Sequence, residues 1–152
     1  SIALTRYMSF IHVSGPATTE GFPKMASTLI AKASVLGFRP SGHVSQAKIE
    51  TLRIAGISIR NVASGDSDYA QSAVLAAIIP GEEDVFEATV SGTAAQSNVG
   101  KQYDITATAA GTAQAVNLSG TTYKVVTVVG FINSTTLLVK FNGNYVYANK
   151  AN

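Results

Sequence analysis

Val85-Phe86-Glu87-Ala88-Thr89-Val90 alternates apolar and polar side chains before Ser91-Gly92, the pattern of a strand with one face on a core. The same period predicts a second strand over Tyr103 to Thr108, ended by a turn at Gly111, and a short third over Ala115 to Leu118. After a turn at Ser119-Gly120, the β-branched run Tyr123 to Ile132 predicts a long strand with a bulge or bend at Gly130. Thr136 to Phe141, then Asn142-Gly143, then Asn144 to Ala148 reads as a β-hairpin, because Asn-Gly tolerates the positive φ values of a type I′ turn.

Toward the N-terminus the pattern is less regular. Apolar residues at 52, 54, 57, 59 and 62 fit two alternating strand segments that slip at Gly56. Ser72 to Ile79, ending at Pro80-Gly81, fits a buried strand. Met25 to Leu36 admits two readings: Met25, Leu29, Ala33 and Leu36 make one helical stripe, whereas the Ser, Thr and Val content and Gly37 favour a strand. In residues 1 to 24, the breakers Gly15-Pro16 and Gly21-Phe22-Pro23 accompany an apolar patch of Tyr7, Met8, Phe10 and Ile11, which predicts an extended N-terminal arm docking on a neighbour. With no internal repeat or linker, residues 25 to 152 read as one β domain, best defined over 85 to 148. The expected fold is all-β, a small antiparallel barrel or sandwich with that arm and at most one short helix near 25 to 36.

Composition adds the question of what covers such a domain. A chain of 152 residues buries about 70% of its unfolded surface and so builds a core without staples. It needs none from sulfur, having no cysteine and therefore no disulfide or thiolate. Charged residues are 13% of the chain, about half the usual 25%, while hydrophobic ones are 46%. So little charge suits a surface partly covered by neighbours in an assembly. No run reaches the roughly 18 apolar residues of a membrane span, and the start, Ser-Ile-Ala-Leu-Thr-Arg, lacks the basic and apolar regions of a signal peptide. Cytoplasmic synthesis and no membrane partner are the expectation. Net charge runs +5 over residues 1 to 60, −6 over 61 to 104 and +3 over 105 to 152. The basic first part could seek an acidic partner. Its Lys24, Lys32, Arg39, Lys48, Arg53 and Arg60 nevertheless stand singly, without the interleaved aromatics of a nucleic-acid surface, so no direct nucleic-acid contact is expected.

Candidate chemistry is thin. His12 and His43 have no carboxylate or second histidine at ligand spacing. Ser14-Gly15 and Ser91-Gly92 do not complete a Gly-x-Ser-x-Gly elbow, and no Gly-rich loop carries the Lys-Ser/Thr of a phosphate cradle. Asp66 and Asp68 resemble the opening of a calcium loop, but the later Gly and Glu are missing. Glu82, Glu83, Asp84 and Glu87 could pair as acid and base, yet three consecutive carboxylates after Pro80-Gly81 read as a solvated turn. Asn117 and Asn133 head short glycosylation-like triplets that arise often by chance. No catalytic residue, cofactor or metal site is expected. Phe131, Phe141, Tyr145 and Tyr147 gather on the last predicted strands, with Tyr145 and Tyr147 on one face, either as a subunit contact or as a sugar-stacking platform.

Val85 to Gly92, Gly100-Lys101-Gln102-Tyr103-Asp104, Val128-Val129-Gly130-Phe131 and Leu138-Val139-Lys140-Phe141 together resemble the β-barrel part of capsid decoration, or cement, proteins of tailed bacteriophages. The resemblance is confined to residues 85 to 148. It implies a homo-oligomer, commonly a trimer, seated on the capsid exterior of the virion where major capsid proteins meet, and it carries no catalytic residues. Tyr7, Phe10, Ile11, Phe22, Tyr145 and Tyr147 are the expected contact residues. A tail tube or fibre component and a carbohydrate-binding β module are the alternative readings.

Overall fold

A computed structural model describes residues 9–46, 53–106 and 110–147. The strands in the first half are β1 (Phe10–Ser14), β2 (Thr19–Pro23), β3 (Val35–Phe38), β4 (Val44–Gln46), β5 (Ile54–Ser58) and β6 (Val74–Ile78). Those in the second half are β7 (Val85–Ser91), β8 (Gln102–Ile105), β9 (Val116–Asn117), β10 (Val126–Asn133) and β11 (Thr136–Phe141).

The second-half strands close on themselves. Their order is β7-β11-β10-β8-β9, and β9 returns to β7 through the parallel pairs Val90↔Val116 and Ser91↔Asn117. Closure pairs strands that would otherwise be edges, and the period-two pattern then sends alternate side chains into the lumen. Phe86, Ala88, Tyr103, Ile105, Val126, Val128, Leu137, Val139 and Phe141 fill it. β1 lies alongside β7 with Phe10 opposite Ala88 and Ile11 opposite Glu87. Phe10 turns inward, its ring 5.1 Å from that of Phe141, which in turn lies 5.3 Å from Phe86.

The other sheet has the order β2-β6-β5-β3-β4. It curls until Lys24, just beyond β2, bridges Val44 on β4, with Met25 N–H donating to the Val44 carbonyl at 2.9 Å. Inside the curl lie Phe22, Ile30, Leu36, Val44, Ala55, Val62, Leu75 and Ala77. Its outer face supplies Val35, Ile54 and Ile57 to the barrel core. β5 therefore sits between two cores, which is why all five of its residues are buried and it does not alternate. The expected slip at Gly56 is present: Leu36 pairs with Gly56 and Gly37 with Ile54, leaving Ala55 as the extra residue. A Cβ on Gly56 would stand 2.8 Å from the Ile78 carbonyl, so this bulge admits only glycine without movement.

Four expectations need correction. Over Met25 to Leu36 there is no helix: Ser27 and Ala33 take left-handed φ values of 51° and 64°, Ile30 bridges Val62, and strand begins only at Val35. The helical stripe fails because Ile30 enters the core while Leu29 stays 38% exposed. The hairpin at Asn142-Gly143 also does not form. Asn142 has φ −72° and ψ 125°, Gly143–Tyr145 is a 3-10 turn, and Val146 crosses to bridge Ile54. β11 already has β10 on one side and β7 on the other, so a returning strand has no edge to join. The hairpin is instead β10–β11, turned by Asn133, whose Oδ1 accepts from the N–H of Thr135 at 3.0 Å and its hydroxyl at 2.9 Å. Third, residues 9 to 24 are not an arm: they thread a strand into each sheet, and Phe10 and Phe22 are buried in this chain's own cores. Fourth, the Ser72 to Ile79 strand is shorter, Val74–Ile78, and half-exposed in alternation. Residues 107 and 108, placed at the end of the second strand from the pattern, lie outside the described residues, as do Leu52 and Ala148.

Candidate functional site

The expected contact residues do not come together. Tyr7 lies outside the described residues, and Phe10 and Phe22 are 1% and 7% exposed. Ile11 does face outward from β1, at 37%. Tyr145 packs on the barrel core with its hydroxyl donating to the Tyr123 carbonyl, whereas Tyr147 packs on the second core, edge-on to Phe22 and Phe38. Buried Val146 separates them, so they share no platform. Burial and the neighbouring Glu20 carboxylate, 3.1 Å from its hydroxyl, raise the Tyr147 pKa.

The singled-out polar residues are occupied by the fold. Asp84 accepts from His12 Nε2 at 2.8 Å, Ala17 N–H at 2.9 Å and Gly81 N–H at 2.8 Å. Burial alone would lift this carboxyl, but the Gly81 and Ala17 amides and His12 outweigh it and hold its pKa below the ordinary 3.8. A carboxylate there fixes His12 Nε2 as the protonated nitrogen. Asp66 and Asp68 flank Arg60, the latter at 2.6 Å, and Asp66 also caps the Ala63 N–H at 2.9 Å. His43 Nδ1 sits 2.9 Å from the Ser41 hydroxyl. Glu82 and Glu83 are exposed in their turn, as expected, but Asp84, expected to be solvated with them, is buried and held by its three hydrogen bonds. No group of three His, Asp or Glu among the described residues is arranged to hold a metal.

Two surface features stand out among the described residues. The first is on β10, where the register shifts between Val128 and Gly130 and again between Phe131 and Asn133. The shifts leave Val129 and Ile132 as the extra residues, 40% and 43% exposed, while Phe131, paired with Leu137, is 37% exposed between them. The Gly130 signal predicts the first bulge; the second has none in the sequence.

The second feature is polar. Two adjoining open clefts, of about 590 and 400 Å³, share Gln102 and Lys124 as walls. Gly100, Lys101, Tyr103 and Thr121 complete the larger, and Tyr123, Asn142, Asn144 and Tyr145 most of the smaller. Lys124 has a left-handed φ of 57°, uncommon for a residue with a Cβ. Buried Asp104 holds it there, taking the N–H groups of Tyr123 and Lys124 on Oδ1, both at 2.7 Å, and that of Thr122 on Oδ2 at 3.1 Å. Asn142 Nδ2 donates to the Lys124 carbonyl at 2.5 Å from the other side. Nothing in the sequence pairs Asp104 with this loop; the connection is made by the barrel.

Comparison of the chain with protein-family models, with curated proteins and with solved structures finds no match.

Proposed function

We propose that the chain is a structural assembly protein, and within that class a capsid decoration protein working as a homo-oligomer on the outer surface of a shell of major capsid protein. The observation that carries the assembly reading is the exposure of Val129, Phe131 and Ile132 on one barrel strand, the first and last of them the extra residues of its two bulges. Exposed apolar side chains scattered singly need no explanation, but three within four residues of one strand favour a protein contact. The low charge of the chain, 13%, supports the same reading, and so does Val13 on β1 at 46% exposure. The capsid setting rests on the resemblance of residues 85 to 148. Several weak contacts made by one oligomer to adjacent shell subunits would add through effective concentration.

Light scattering with the purified protein tests the assembly reading. An oligomer at micromolar concentration that falls to monomer in Phe131→Ser/Ile132→Ser is the expected result; a wild-type monomer overturns it. Cosedimentation with empty phage shells stripped of their accessory proteins tests the capsid setting, and protein left wholly in the supernatant refutes it. Rings or filaments without shells, seen by electron microscopy, would favour the tail-component reading instead.

A further inference from the structure

We propose that the double cleft on the barrel binds an extended acidic segment of a partner protein, its carboxylates on Lys101 and Lys124 and its backbone against Gln102; the identity of that partner as shell protein rests on the reading above. Three observations carry it. The walls are two exposed lysines with tyrosines and amides, and no acidic side chain lines either cleft among the described residues. The groove is therefore cationic and rich in donors. Secondly, Lys124 is kept in a costly conformation by a buried carboxylate and an asparagine, and such strain persists where the surroundings over-determine it, often at binding sites.

Thirdly, the cleft contains an unextended strand edge. Tyr103 pairs toward β10, opposite Val126, while the Asp104 N–H points the other way and donates to the Gly120 carbonyl at 2.8 Å. Alternation puts the backbone N–H and C=O of Gln102 on the same side as those of Asp104. β9 covers that side only at Asp104 and Ile105, so among the described residues no strand stands opposite Gln102, at the cleft wall. A peptide can add main-chain hydrogen bonds there while its side chains reach the lysines. An acidic polysaccharide or a nucleic acid would use the charge but not the edge, which favours a peptide.

Fluorescence anisotropy with a labelled ten-residue peptide of alternating Glu and Thr, at about 20 mM salt, tests this. Saturable binding is expected, weakened at least about tenfold in Lys101→Gln/Lys124→Gly and by replacing the peptide's Glu with Gln. Glycine accepts the left-handed conformation at 124, so this variant retains the fold, to be verified by circular dichroism. Lys140→Gln, on β11 and outside the cleft, should leave binding unchanged. Equal binding by the double variant, equal binding of the Gln peptide, or equally tight binding of heparin with the same lysine dependence overturns the proposal. Peptide binding without shell binding removes the capsid reading and leaves the groove. Shell binding undiminished in the double variant removes the groove's role and leaves the capsid reading.

Discussion

Asp84→Asn is the most informative single change to the fold, because one carboxylate ties both connections between the sheets. The loop from β1 to β2 reaches it through Ala17 and the loop from β6 to β7 through Gly81, with His12 from β1 between them. In the asparagine variant Oδ1 can still accept from His12 and Ala17, but an NH2 group faces the Gly81 N–H. One charge-assisted bond, worth roughly 1.5–3 kcal/mol, becomes a donor–donor clash, and two others fall to neutral strength at about 0.5–1 kcal/mol each. The sum is about 3 kcal/mol, a large part of the 5–15 kcal/mol typical of a domain, and would lower a urea midpoint by about 1–2 M. The Asp84 pKa is depressed, so its contribution is fully present above 3.8 and disappears as pH falls through the lower folded-state value. Urea titrations of both proteins should thus differ most near neutrality and converge only as pH falls through the lowered folded-state value. A difference under about 1 kcal/mol near neutrality, or one that stays constant into acid, refutes the assignment.

Further outcomes are expected at other positions. Gly15→Ala should destabilise the protein by about 3 kcal/mol or more in the same titration, since φ is 105° and the new Cβ would lie 2.5 Å from the Glu83 carbonyl and 2.6 Å from Asp84 Oδ1. Phe22→Ala should cost about 3–5 kcal/mol in thermal or urea unfolding; a stable, merely dissociated protein would restore the docking-arm reading. Phe131→Ser should change stability by less than about 0.5 kcal/mol while reducing self-association by sedimentation. Lys124→Gly should stabilise the protein by about 0.5–1 kcal/mol through relieved strain, seen as a slightly higher melting temperature, and a loss of similar size would refute strain at that position.

Period-two alternation made the barrel legible, and it failed where tertiary context overrides local signals. β7 and β11 alternate plainly, and Gly56 and Gly130 mark two of the bulges where expected. Asn142-Gly143 is a strong local turn, but β11 has both edges filled before the chain arrives there, so its side chain ties the Lys124 loop instead. Phe10 and Phe22 flank Gly-Pro breakers and read as a loose arm; their strand partners lie more than fifty residues away, at Ala88 and Leu75, beyond any local window. The Lys101–Lys124 groove was invisible for the same reason, since only β8–β10 pairing and Asp104 unite its halves.

The bulge on β1 ends with Ser14 opposite Val85, two neighbours separated along the chain by residues 15 to 84. The curled sheet is thus an excursion inserted between adjacent strands, and this bears on the order of folding. Closing a loose loop of that length costs about 4 kcal/mol in chain entropy. Once the excursion has folded, its two ends already lie side by side at Asp84 and Gly15, and most of that cost has been met. β1 then seals onto β7 almost as the second arm of a hairpin would, so the inserted sheet should gain protection from hydrogen exchange before the β1–β7 seam does.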